Sequence, residues 1–428
     1  MAEVKPRVFL FSATTSDWPK ILRVAARLRH VNRKSMLLVG GYHVSALPRD
    51  AGVEIFDYVI VGEGEVAVSR ILDPTGSSVK EWRSPSWSGP CVIQAPRITD
   101  LSQLPFPLRD VDEIRSNRLS GLIFPPTSAQ TGAAAVVLSR GCNNSCSFCS
   151  SHTIWGSRLV TRDVDSVIQE YRDVTECLHA NAVVFVDQAF GENADWTSRL
   201  CRSMEQLKSS AKWYCMAKLT INQKLLLEMA AAGCTKIGFG VETADPERRA
   251  ELKGFGDESV DDLNHLFNAC NELGIFVKIY LMIGFPWETE EYLLRTTRRF
   301  LQRLQANELK ISFFTPFPGT RDWSRYRNQL VTLDWQDFDT VRMPVVHNPG
   351  VTVTQYREIR KNLFRAFYGS STYADVTRRM LRSFPHYLES YREFAVYLRH
   401  LEMVSGNETW LNWIHRGQAV RVHEISGG

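Results

Sequence analysis

The chain has 428 residues, of which 44% are hydrophobic and 23% charged, with 26 Gly and 18 Pro. That composition excludes a disordered, collagen-like or coiled-coil protein and leaves room for two or three domains. The formal net charge is +4, and residues 351–428, with 11 basic and 7 acidic side chains, account for all of it. The neutral remainder lacks the dense basic footprint that phosphate neutralisation demands of a nucleic-acid enzyme. No apolar run approaches the roughly 20 residues that span a bilayer. The opening MAEVKPRVFLF has no long apolar core leading to a cleavage site. A cytoplasmic protein with neither nucleic acid nor membrane as partner is expected.

In chain order, three short apolar runs come first: residues 7–12 (RVFLFS), 36–39 (MLLV) and 58–61 (YVIV). A helical pattern through Ile21, Val24, Ala25 and Leu28 separates the first two, and glycines follow the second and third. Strands alternating with helices indicate a small Rossmann-like α/β segment over residues 1–75. Three strands are few for a free-standing sheet. Residues 76–132, rich in Pro, Ser and Gly, read as a connector. Six apolar runs then recur with helical patterns between them, at 133–138, 182–186, 213–216, 236–241, 276–283 and 309–314. The fold class expected is α/β, with a partial (β/α)6 barrel over 133–322 whose chemistry sits at the C-terminal strand ends. Residues 323–428 read as a helical extension. One helix there starts at a Thr352–Gln355 capping box, presents Tyr356, Ile359, Leu363, Phe364 and Phe367 as a core face, and stops near Gly369.

Six of the nine cysteines are scattered, while Cys142, Cys146 and Cys149 form a C-x3-C-x2-C cluster directly after the first barrel strand. In a long chain such a cluster reads as a metal or redox site. Three thiolates on one loop can hold three corners of a cubic iron–sulfur cluster and leave the fourth iron open to a small molecule. A zinc site of the three cysteines with His152 is the alternative that the spacing allows.

With Phe148 inside the motif, this segment resembles the radical S-adenosylmethionine (radical SAM) superfamily over about residues 134–320. The resemblance implies a 4Fe–4S cluster on Cys142, Cys146 and Cys149 and SAM as cofactor. SAM would be cleaved reductively to a 5′-deoxyadenosyl radical that removes hydrogen from a substrate. It further implies SAM contacts from Phe148, from Asp187 and Gln188 after strand two, from Gly240 and Glu242 on the glycine-rich strand four, and from Met282 and Gly284 at strand five. Asp187 and Glu242 could otherwise be caps or solvated strand-end acids. Phe313–Thr320 (FFTPFPGT) is similar to the strand-six exit of the cobalamin-associated branch. No cysteine follows Cys270, so no auxiliary cluster is expected.

Around Gly40–Pro48 and residues 57–65 (DYVIVGEGE) the N-terminal segment looks like the second half of a cobalamin-binding domain. A half-sheet would not enclose a corrin, so the segment reads as a buttress, His43 as a structural residue rather than a cobalt ligand, and the enzyme as cobalamin-free and non-methylating. Dehydration or epimerisation of a sugar or aminocyclitol-like substrate in natural-product (antibiotic) biosynthesis is then the expected reaction, similar to the aminoglycoside C3′ radical diol dehydratases. A lyase or oxidoreductase of this kind needs a small-molecule substrate, an electron donor such as flavodoxin or ferredoxin, and in some pathways a downstream reductase. Tyr214 and Lys218 on strand three, with Lys278 and Tyr280 on strand five, are the candidate catalytic residues, since each pair shares a strand face. Barrel filling and rim charge are the structural alternatives. Other functions left open are a cobalamin-dependent methyltransferase, an RNA-modifying radical SAM enzyme and an iron–sulfur electron carrier.

Overall fold

Short apolar runs alternating with amphipathic stretches build two largely parallel sheets in the computed structural model, which describes residues 6–72, 81–82, 89–116, 132–404, 410–411 and 414. The first sheet contains β1 (Val8–Ser12), β2 (Met36–Gly40), β3 (Tyr58–Val61), β4 (Glu81–Trp82) and β5 (Cys91–Gln94). Its order is β1-β2-β3-β5-β4, with only β4 antiparallel. Alternation along β2 sends Leu37 and Val39 to a core shared with Trp18 and Ala25 of the helix Trp18–Val31. Leu38 goes to the opposite core, with Ile60, Ile93 and Ala67 of the helix Gly64–Leu72. Both faces are thus covered, as a parallel sheet requires.

The stretch 76–132 is therefore more than a connector, and the sheet is not a three-strand fragment: β4 and β5 come from that stretch and extend it. Composition concealed β5 because Pro90 and Pro96 bracket a run of only four strand residues. Residues 117–131 lie outside the described residues.

β6 (Ala133–Val136) opens the second sheet and leads into a hairpin of β7 (Ser139–Arg140) with β8 (Val160–Thr161). β9 (Ala182–Phe185), β10 (Lys212–Ala217), β11 (Cys234–Glu242), β12 (Phe276–Ile283) and β13 (Glu308–Phe313) complete it. All its pairs are parallel, in the order β13-β12-β11-β10-β9-β6, and β6 does not pair with β13. The strand number and all-parallel order are those expected of a partial (β/α)6 barrel. Val183, Phe185, Trp213, Cys215, Ile237, Phe239, Ile279 and Ile311 face outward into the main core with the surrounding helices. Residues of the other parity line the lumen.

The capping box at Thr352 is formed, both bonds being present, and Tyr356, Ile359, Leu363, Phe364 and Phe367 are buried as core. Helices Val353–Tyr368, Ser371–Ser383 and Leu388–His400 cover the β12–β13 side. They also blunt the edge strand: Tyr368 Oη accepts from the Leu309 amide at 3.1 Å, and Tyr373 Oη donates to the Asn307 carbonyl at 3.2 Å. The extension is not helical throughout, because residues 327–352 hold only short turns and a Leu330–Val346 bridge. Among the described residues no helix is long and apolar enough to cross a membrane.

Candidate functional site: the cysteine loop and the barrel mouth

The β7–β8 hairpin presents the cysteine loop over the C-terminal ends of the barrel strands, and contacts from four strands pin it there. Gly141 begins the loop at φ +88°, where a Cβ would lie 2.3 Å from the Arg158 carbonyl oxygen. Gln188, after β9, accepts from the Gly141 amide at 3.1 Å. Glu192 accepts from the Asn143 amide at 3.1 Å and from the Cys142 thiol at 3.5 Å, and pairs with Lys218 at 3.0 Å. Lys218, after β10, also donates to Asn144 Oδ1 at 3.0 Å. Ser147 donates its amide to the Leu252 carbonyl and its hydroxyl to Asp322, at 2.8 and 2.9 Å.

All three clustered cysteines are half-buried and reduced. Burial pushes the Cys146 thiol up to about 12, with the neighbouring Cys149 adding to the shift and Lys253 opposing it, so metal binding rather than free ionisation would deprotonate it. Among the described residues no three His, Cys, Asp or Glu side chains stand close enough to share one metal ion. A cubane gives each cysteine its own iron, a donor set that three thiols on one loop can supply.

Glu242 ends β11 at φ +67°, an uncommon region for a non-glycine residue, where the β11–β12 register shifts. Its carboxylate folds back over Gly240, where a Cβ would sit 2.2 Å from Glu242 Oε1. Burial raises its pKa against the opposing charges of Lys253 and Arg249, yet it accepts no hydrogen bond among the described residues. This is an acid held in strain at the mouth with its lone pairs unused. Gly284, at φ +99°, begins the turn after β12, and Glu288 secures that turn by accepting from the amides of Gly284 (2.6 Å) and Phe285 (3.1 Å). Phe148 and Met282 pack beside Phe285 and Phe314.

Three expected assignments change. Asp187 is buried and its carboxylate is committed to the protein: Oδ1 accepts from Ser139 Oγ at 2.5 Å and Oδ2 from the Leu138 amide at 3.2 Å. It straps β9 to the root of the hairpin. Lys278 lies near the N-terminal end of β12, ion-paired with Glu308 at 2.7 Å, as Lys236 is at 2.6 Å. It is floor, remote from the mouth. Tyr214 and Tyr280 bond each other at 2.8 Å across Gly238, in the middle of the wall. Of the four candidate catalytic residues, only Lys218 stands beside the cysteine loop. Glu192 and Glu288 were not singled out from the sequence; the Gly191-Glu192 pair beyond strand two was the available signal for the first.

A cavity of about 440 Å³ lies at the C-terminal ends of β1, β2 and β3. Gly40, Gly41, Gly62 and Gly64 form one wall, and Ile154 and Trp155, just beyond Cys149, form another. Trp155 is fixed by its indole N–H to Tyr42 Oη at 2.9 Å and by the Arg140 guanidinium 4.7 Å above its ring. His43 is outside this cavity. It is fully buried, bonded to Asp50 at 3.0 Å and stacked on Trp18, in the structural role expected of it.

The family model for the B12 binding domain matches residues 1–72, and that for the radical SAM superfamily matches residues 136–300. An uncharacterised methyltransferase of Pyrococcus horikoshii is 27% identical over 85% of this chain and 79% of its own length. The hopanoid C-3 methylase of Methylococcus capsulatus is 24% identical over 78% of this chain, which spans 64% of that relative. The solved structure of TsrM from Kitasatospora setae, a radical SAM methyltransferase with cobalamin and a 4Fe–4S cluster, superposes with a TM-score of 0.62 at 16% identity. That match covers 86% of this chain and 79% of TsrM, and attests the shared fold. With the cysteine loop seated on the strand ends of a six-stranded parallel sheet and a second, largely parallel sheet beside it, the chain carries a radical SAM domain over residues 136–300 and a B12-binding domain over residues 1–72.

Proposed function

We propose that this enzyme is a cobalamin-dependent radical SAM methyltransferase acting on a small molecule. The observation that carries this reading is the cavity walled on one side by the glycine-rich strand ends of the B12-type sheet and on the other by Trp155 of the cysteine loop. Its size is within the range of small-molecule and cofactor sites. Relatives named as methyltransferases support the same reading. Dehydration without cobalamin rested on a half-sheet, and the five-stranded sheet removes that ground.

Cys142, Cys146 and Cys149 would hold the cluster, Gly240, Glu242 and Gly284 the SAM, and Gly40, Gly41, Tyr42, Gly62 and Trp155 the corrin. When bound, the cluster and SAM supply one-electron reductive chemistry and cobalamin a methyl carrier. The chain itself positions and shields. Glu242 offers an unused carboxylate to a hydroxyl or ammonium group, glycines allow the backbone to approach closely, and Gln188, Glu192 and Lys218 set the height of the cysteine loop. An acidic flavodoxin or ferredoxin is the electron donor this chemistry calls for.

Reconstitution of the full chain with iron, sulfide and hydroxocobalamin is expected to give stoichiometric bound corrin, visible in its absorption spectrum. Trp155→Ala should bind it more weakly. Methyl-labelled SAM should deliver label to a small molecule of an anaerobic extract. Turnover to 5′-deoxyadenosine with no corrin bound and an unmethylated product would overturn the reading.

A further inference from the structure

One lysine of the inner wall, Lys310, stands without an acidic partner of its own among the described residues. Lys236 on β11, Lys278 on β12 and Lys310 on β13 face the lumen, and the carboxylate of Glu308 engages the first two, at 2.6 and 2.7 Å. Lys310 lies two residues further along the same strand, hence on the same face, and is the register partner of Tyr280. It makes no hydrogen bond or ion pair among the described residues, and its charged neighbours are Arg360 and Lys278, with Glu308 already committed. The other acids of this region, Glu192 and Glu242, stand at the mouth beside Lys218 and Lys253.

The lumen is closed below and open above this point. Lys236, Tyr214 and Lys278 are buried, whereas Met216, Tyr280, Met282, Lys310 and Ser312 are only partly covered although they face inward. Ser312, one layer nearer the mouth than Lys310, leaves its hydroxyl without a partner among the described residues. The facing wall is apolar, with Ala133, Ala182 and Val184 packed beside Met216. An ammonium set against like charges in a partly dry site is stabilised by an anion, and an ammonium with two hydroxyls is a donor set for oxyanions.

We propose that the substrate carries an oxyanion, a carboxylate or a phosphate, gripped at the β12–β13 wall by Lys310 with the hydroxyls of Tyr280 and Ser312, while its apolar body lies against Val184 and Met216. The assignment rests on the barrel mouth being the active site, as in the proposed function, and names the class of substrate admitted there.

The test is trace acetylation of lysines by acetic anhydride in the full-length, cluster-loaded protein, read by mass spectrometry. Inorganic phosphate and acetate are the probes, against chloride at equal ionic strength. At ten times the half-saturating concentration, labelling of Lys310 should fall about tenfold while exposed Lys20 is unaffected. Protection by acetate alone identifies a carboxylate, by phosphate alone a phosphate, and either supports the site. Labelling of Lys310 that neither probe slows relative to chloride overturns it. Lys310→Met should fold and keep its iron but lose the rise in Tm that the protective anion gives the parent. An undiminished rise in that variant also overturns the proposal. Neither readout involves cobalamin or methyl transfer, so a failure of the methyltransferase reading and a failure of this one are told apart.

Discussion

At the scale of single residues, Glu242 and Glu288 have opposite tasks. Glu242 has a strained backbone and a carboxylate with no protein partner, the combination expected of a ligand-binding acid. Glu242→Gln should weaken SAM binding by roughly ten- to hundred-fold, the loss of a charge-assisted bond of about 1.5–3 kcal/mol, measured by equilibrium dialysis with the cluster in place. Glu288 serves the fold: burial lifts its carboxyl from the usual 4.5 to about 8, against the amides of Gly284 and Phe285 and the Tyr356 hydroxyl. The folded chain therefore holds this proton more tightly than the unfolded chain does. The stability it contributes is complete below about pH 4.5 and is lost as pH rises through about 8. Glu288→Gln keeps an oxygen for both amides and removes the titration. Tm of the parent minus that of the variant should fall between pH 6 and 8.5, and a difference that stays flat across that range would contradict the assignment. The place of Glu242 at a strand end was legible because its strand also carries Gly238 and Gly240. Asp187 and Lys278 were misplaced because the residues that claim them, Ser139 and Glu308, lie 48 and 30 positions away and give no local sign.

Among the elements, the cysteine loop depends on its spacing and on the strand ends beneath it. Ala at Cys142, Cys146 or Cys149 should cut reconstituted iron well below about four per chain while leaving the far-ultraviolet circular dichroism unchanged, since the loop lies outside the main cores. The helix Val353–Tyr368 depends on its cap. Thr352→Ala removes the side-chain acceptor of the Gln355 amide, leaves the backbone amide bond to Gln355 Oε1 in place, and should cost about 1 kcal/mol in denaturant unfolding. Each element was readable from the sequence because its determinants are neighbours along the chain. β5 was not, because four residues between prolines carry too short a pattern to separate from a loop, and only pairing with β3 makes them a strand.

For the whole molecule, the relation between the two sheets rests on a small charged junction. Glu63, buried at the end of β3, binds Arg97 at 2.5 Å and accepts from the Ile98 amide at 2.6 Å. Arg97 continues to the carbonyls of Arg140 and Arg158 on the hairpin that bears the cysteine loop, and Arg140 returns to Glu65. Glu63→Ala leaves these arginines without their buried partner and should destabilise the fold by about 3–5 kcal/mol. Faster hydrogen exchange in β1–β3 and weaker corrin retention are the expected signs, and a variant with unchanged exchange would show that the junction is dispensable.

The sequence by itself determined the radical SAM resemblance, the order of the β/α units, the closely spaced cysteine loop and the core face of the C-terminal helix, because motif spacing and periodicity are local properties that survive without coordinates. Only the tertiary structure decided that residues 81–94 complete the first sheet, that its glycine-rich edge and Trp155 enclose one cavity, and that Lys278 is neutralised while Lys310 is not. Those outcomes depend on which distant strands become neighbours. Charge compensation and enclosure are properties of that neighbourhood, and a one-dimensional pattern does not contain them.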